Sequence, residues 1–176
     1  MAARILTKAV CLLYILMLHK FSQAAQTDFE VGIGDELSVT VYNEPDLNVT
    51  SLVGPTGKLT IPLLGDMQVA GLTPAQLAKQ LEQAYFNGYL VNPNVTVKVI
   101  NYRPFYIRGA VNNAGAFSYV VNLTVDQAIA VGGGLKERAS SRDWIIYREF
   151  SSEPIKVSKD TLVAPGDIIE IRESLF

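Results

Sequence analysis

Two acidic pairs lie close enough in the chain to suggest hydrolytic chemistry: Asp35 with Glu36 in "GIGDELSV", and Glu44 with Asp46 in "YNEPDLN". Two carboxylates flanking a sugar linkage, one protonated and one ionised, are the groups a glycosidase needs. Both pairs sit among Gly, Pro and Asn, where acidic side chains ordinarily accept local backbone hydrogen bonds or face water, so turn chemistry accounts for them. The run Gly132 to Gly134 could cradle a phosphate, as Gly-rich loops do at helix N-termini. It follows a helical pattern instead of opening one, and no Gly-Lys-Ser/Thr comes after it, so it reads as a helix stop. Tyr85, Phe86, Tyr89, Tyr102, Phe105, Tyr106, Phe117, Tyr119 and Trp144 could stack on sugar rings, but cores claim most aromatics of this kind.

The only cysteine and the only histidine, Cys11 and His19, fall in the first 24 residues. There Arg4 and Lys8 precede an apolar run from Ala9 to Leu18, and "SQAAQ" supplies small residues for cleavage after Ala24 or Ala25. That order is expected of a secretory signal peptide (residues 1–24), and the run is shorter than the roughly 20 residues that span a bilayer. Once such a leader is removed, no residue is left for a disulfide, a Cys- or His-based metal site, a Cys nucleophile or a His-dependent triad. The leader carries 3 of the 15 Lys and Arg and none of the 17 Asp and Glu, so the remainder has a net charge of −5. With no basic cluster visible, nucleic acid is not an expected partner, nor is an anionic lipid surface. No cofactor is expected, and the chain reads as a non-enzyme.

The elements that would position these residues repeat themselves. "VGIGDELSVTV" from Val31 and "APGDIIEIRE" from Ala164 both write Gly-Asp ahead of an alternating strand, which places Asp35 and Asp167 at equivalent strand starts. "LTPAQLA" from Leu72 and "LTVDQAIA" from Leu123 both put Thr at an N-cap with Gln three residues on, a capping box. In the first, Pro74 takes the first helical position, Leu72 and Leu77 can form a hydrophobic staple, and Leu77, Leu81, Ala84 and Tyr85 make one apolar stripe ending near Gly88. "GPTGKLTIPLLGDMQVAGL" reads as short strands in a tightly turning sheet, and Val95, Val97 and Val99 as one face of a further strand. "NYRP" then marks a boundary. Beyond it come strands in "FYIRGAV", "AFSYV", "WIIYREF", "PIKV" and "GDIIEI" around the second helix. Strands wrapped on one helix, twice over, predict an α+β architecture.

In this order, "FEVGIGDELSVTVYNEPDL", "GKLTIPLLGDMQVAGLTPAQLAKQL", "VNPNVTVKV", "FYIRGAVNNAGAFSY", "TVDQAIAVGGGL" and "PGDIIEI" resemble the polysaccharide biosynthesis/export family of secreted bacterial proteins, over roughly Phe29 to Arg172. The resemblance implies a polysaccharide export domain at residues 26–101 and a soluble-ligand-binding β-grasp domain at 102–176. Both are then β-grasp-like units, each a mixed sheet packed on a helix. The positions that carry the family motifs are Gly34, Asp35, Pro62, Gly65, Gly71, Thr73, Pro93, Gly109, Gly115, Gly133, Gly166 and Asp167. The chain departs from the family pattern at Ile33, Thr56 and Ala114, where Pro, Asp and Pro are usual; the turn glycines persist.

The resemblance further implies a homo-oligomeric ring that conducts a capsular or exopolysaccharide polymer through the periplasm, working with an inner-membrane polysaccharide copolymerase. Longer relatives add β-grasp domains and a C-terminal helix that crosses the outer membrane. The ending "IRESLF" leads to the expectation of a short form completed by a separate outer-membrane β-barrel. A monomeric periplasmic carbohydrate-binding module is the alternative expectation.

Overall fold

The structure is a computed structural model and describes residues 29–149, 151 and 153–174. The expected signal peptide lies outside the described residues. Among the described residues no helix is long and apolar enough to cross a membrane.

The first half of the chain runs β1 (Glu36–Val41), a 3-10 turn (Pro45–Leu47), β2 (Val49–Leu52), β3 (Lys58–Ile61), β4 (Gly65–Gln68), α1 (Pro74–Phe86) and β5 (Val95–Asn101). The second runs β6 (Phe105–Gly109), β7 (Gly115–Phe117), α2 (Val125–Val131), β8 (Ala139–Tyr147), β9 (Ile155–Val157) and β10 (Ile168–Glu173). The α+β expectation is borne out by this mixture, among the described residues, of two α-helices and three sheets.

In β1 the alternation is strict. Leu37, Val39 and Val41 are buried while Ser38 and Thr40 turn outward, and β1 lies between β2 and β5. Val95 and Val97 of β5 point the same way as the buried residues of β1, with Val99 partly buried. The β3–β4 hairpin adds Leu59 and Ile61, and α1 closes this core with Leu77, Leu81 and Tyr85, leaving Ala84 half-buried. Each such aliphatic side chain contributes on the order of 2 kcal/mol by leaving water. The capping box at Thr73 is complete: Gln76 N donates to Thr73 Oγ1 (3.2 Å) and Thr73 N donates to Gln76 Oε1 (2.9 Å). Leu72 packs partly buried against the same core as Leu77, as a staple requires.

The second sheet has the order β7-β6-β10-β8-β9. Phe105, Ile107, Trp144, Ile146, Ile169 and Ile171 form its inner face, and Val125, Ala128 and Ile129 of α2 lie against it in one core. The second capping box, Thr124 with Gln127, is also complete, at 3.3 and 3.0 Å. Gly132 caps the C-terminus of α2, and Gly134 N donates back to Ile129 O (2.9 Å), so the glycine run does stop a helix.

The expectation of a mixed sheet in each half holds only for the second. There β10 runs parallel to β6 and antiparallel to β8. The first sheet is antiparallel throughout, because β1 meets both β2 and β5 head to tail. Strand direction is set by which strands meet in space, a long-range fact that alternation does not encode.

Candidate functional site

Both Gly-Asp turns are built alike. Gly34 and Gly166 have φ of 90° and 82°, and each lets the chain reverse so that the next residue points back into its own turn. Asp35 N donates to Gly32 O (3.2 Å) and Gly32 N donates to Asp35 Oδ2 (2.7 Å). The counterpart is the same within 0.1 Å, since Asp167 N donates to Ala164 O (3.2 Å) and Ala164 N donates to Asp167 Oδ2 (2.8 Å). Both aspartates are fully buried, as are Val31 and Val163 four residues before each.

A buried carboxylate needs a compensating charge, and each has an arginine. Arg103, in the short link between β5 and β6, gives Asp35 its backbone N–H (2.7 Å to Oδ1) and its Nη1 (2.8 Å to Oδ2). Arg148, just after β8, forks onto Asp167 with Nε to Oδ1 and Nη2 to Oδ2, both 3.1 Å. The Asp167 carboxylate raises the Arg148 pKa above the usual guanidinium value. Arg103 also places its Nε 2.8 Å from Glu149 Oε2. A Cβ added at Gly32 would overlap the Arg103 guanidinium, and one at Gly166 would approach Arg103 Nε at 2.7 Å and Glu149 Oε2 at 3.0 Å. The Arg103 side chain therefore runs between the two repeated turns and ties them together.

Beside this clamp, Phe29, Tyr102 and Tyr119 meet edge to face, with centroids 6.3, 5.7 and 5.3 Å apart. Phe29 precedes β1 but packs against the core of the second sheet. Burial, with the neighbouring Tyr102 and Asp167, pushes the Tyr119 phenol up to about 12.

The other motif positions are spread over separate turns. Pro62 O accepts from Tyr85 Oη (3.1 Å), Gly65 faces Ile61 across the β3–β4 hairpin, and Gly71 N donates to Val31 O (2.9 Å). Thr73 caps α1, Pro93 is half-buried ahead of β5, and Gly115 opens β7. Gly109 closes β6, and Gly133, whose carbonyl accepts from Asn112 Nδ2 (2.7 Å), lies in the turn after α2. Gly34, Asp35, Gly166 and Asp167 are the members of the set that converge. Arg103, Arg148 and Glu149, which complete the convergence, went unmarked in the sequence because they sit in "NYRP" and "YREF", which read as boundary and strand end.

Asp35 and Asp167 are buried, and each accepts three hydrogen bonds from backbone and arginine donors, which fixes both carboxylates in place. Asp35 and Glu36 point to different environments, one buried and one at the sheet surface, while Glu44 and Asp46 are exposed beside the 3-10 turn. Among the described residues, no three metal-ligating side chains come together. Phe86, Tyr89 and Tyr106 are exposed, in contrast to the buried Tyr85, Phe105, Tyr119 and Trp144.

The converged residues thus clamp two small sheet-and-helix layers together. Residues 23–100 match the family described as polysaccharide biosynthesis/export protein. The chain is 30% identical over 152 residues to the exopolysaccharide production protein ExoF of Rhizobium meliloti, covering 77% of this chain and 36% of the relative. It is 27% identical over 124 residues to the polysialic acid transport protein KpsD of Escherichia coli, covering 69% and 22%. With the EPS I polysaccharide export outer membrane protein EpsA of Ralstonia solanacearum it shares 28% over 138 residues, 64% and 36% of the two chains. The matches thus span about a third or less of each relative's length. The resemblance read from the motif order is borne out: residues 23–100 match the polysaccharide biosynthesis/export family, and relatives named for polysaccharide production, transport and export align with the chain.

Proposed function

We propose that this protein is a non-enzymatic component of a capsular or exopolysaccharide export path, acting in the periplasm in association with the outer membrane. In this reading residues 26–101 are the export domain and 102–176 a soluble-ligand-binding β-grasp domain. Copies assemble into a ring that receives polymer from an inner-membrane copolymerase and hands it to an outer-membrane β-barrel. The observation that carries the reading is the family match over 23–100, extended by alignment to relatives named for exopolysaccharide production and polysaccharide export. The Asp–Arg clamp supports the non-enzymatic part, since its carboxylates are buried and committed to backbone and arginine donors that fix two layers.

Deleting the gene and measuring surface and secreted polysaccharide tests this directly. Loss of exported polymer with lipid-linked precursor synthesis intact is expected. Cross-linking in the periplasm is expected to trap closed oligomers together with the copolymerase. Undiminished export from cells whose only copy is a verified monomer would replace the conduit with a carbohydrate-binding module.

A further inference from the structure

The face of the second sheet turned away from α2 is crossed by a row of charges. Arg108 of β6 stands in register with Glu170 of β10, Glu170 with Ile145 of β8, and Ile145 with Lys156 of β9. Arg172 and Asp143 project from the same face of β10 and β8. The charges form two linked groups: Arg108 Nε and Nη2 lie 2.9 and 2.5 Å from Glu170 Oε2 and Arg172 Nε lies 3.4 Å from Glu170 Oε1, while Lys156 Nζ lies 3.0 Å from Asp143 Oδ1. Arg108 is held on its other side as well, with its guanidinium 4.9 Å from the centroid of the Tyr147 ring.

Exposed pairs of this kind add little to stability, so folding alone gives weak reason for five charged residues forming three pairs across four strands. Two clefts open along the row. One, of about 420 Å³, has Arg108, Glu170, Arg172 and Glu173 in its lining; the other, of about 140 Å³, has Arg172, Asp143 and Lys156. Arg172 thus faces both. Glu173 balances the charge of the larger cleft, while Arg172 and Lys156 against Asp143 leave the smaller one a positive charge in excess on a chain whose overall balance is negative. A guanidinium carries five N–H donors, and Glu170 engages two from Arg108 and one from Arg172.

We infer that this sheet face binds the carboxylate-bearing residues of an acidic polysaccharide, with Arg108 and Arg172 receiving the carboxylate and the exposed Tyr106 ring on the same face flanking a sugar ring. The inference rests on the proposed function for its polymer and adds the polymer's charge class and its contact surface. A guanidinium already oriented by a ring and a carboxylate loses little freedom on binding, which favours capture of a planar anion. The Tyr ring supplies an apolar surface for the C–H face of a pyranose.

Oligogalacturonate and neutral dextran titrated into the purified full chain, at low and high salt, test this. Oligogalacturonate should bind, weaken with salt and lose roughly tenfold in affinity in Arg108→Gln/Arg172→Gln. Lys98→Gln, on the outer face of the first sheet, should leave binding unchanged, and thermal melting should show the double variant folded. Equal affinity for dextran, or unaltered binding by the folded double variant, overturns the inference. So does sedimentation showing that the double variant dissolves a dimer, which would assign the face to a second copy. A null strain separates the two levels: restored export by a double variant that binds no oligogalacturonate sinks this inference and keeps the export role, whereas normal export without the gene sinks the role itself.

Discussion

Arg103 and Asp35 are joined twice, by the Arg103 backbone N–H to Oδ1 at 2.7 Å and by Nη1 to Oδ2 at 2.8 Å, across 68 residues of sequence. The Arg103 side chain is only 8% exposed, so removing Asp35 strips a nearly buried guanidinium of its twofold partner and leaves Glu149 as its remaining carboxylate. Asp35→Ala is therefore expected to cost about 3–5 kcal/mol. Asp167→Ala should cost less, about 1–3 kcal/mol, because Arg148 is 40% exposed and water can replace the carboxylate. Chemical denaturation of the two variants beside the parent measures the difference, and equal losses would remove the asymmetry argued here.

The capping boxes give a second expectation. Thr73→Ala and Thr124→Ala each free a backbone N–H that the hydroxyl now satisfies, and each should cost about 1 kcal/mol. Thr→Ser at the same positions should recover most of the loss, since the hydroxyl returns. Melting temperatures of the four variants decide it.

Gly109 ends β6 with φ of 93°, and a Cβ there would overlap the carbonyl oxygen of Ile171. Gly109→Ala should force β6 away from β10 and break the parallel pairing at its end. Gly65→Ala, with φ of 74° but open space around it, is expected to cost only the backbone strain, about 1–2 kcal/mol. Amide hydrogen exchange in β10 reads the first change, and a faster rate there without one in β1 is the expected pattern.

Tyr119 sets an alkaline limit. Its pKa rises on folding from 10.0 to about 12, so the folded state holds the phenolic proton more tightly than the unfolded chain. The stabilisation from the neutral phenol is complete below pH 10 and is lost as pH climbs from 10 to about 12. Denaturation measured across that window should show the slope, and Tyr119→Phe should flatten it. Tyr85, also raised by burial, keeps a smaller slope in the variant.

What could be read from the chain alone was what depends on near neighbours. Thr73 with Gln76 and Thr124 with Gln127 are three residues apart, and Leu77, Leu81 and Tyr85 lie on one helical face by spacing alone. Arg103 could not be read so, because its carboxylate partners come from the start of β1 and from beyond β8, and "NYRP" has the polarity of any link. The direction of β5 was hidden for a similar reason: Val95, Val97 and Val99 fix its buried face, while its antiparallel run beside β1 depends on where the preceding helix delivers the chain. Tyr106 illustrates the limit for aromatics, since Phe105 beside it is fully buried and their opposite fates follow from strand alternation, not residue type.

The central strand of the second sheet is also the last to be made. β6 finds its parallel partner only in β10, some sixty residues later, whereas every strand of the first sheet is present by Asn101. As the chain emerges N-terminus first, the first sheet can close while β6 waits with an unpaired edge, an exposed state that invites association with other chains. Asp167 arrives with β10, so the second half of the Arg-bridged pair of turns forms only after every strand of the first sheet is in place.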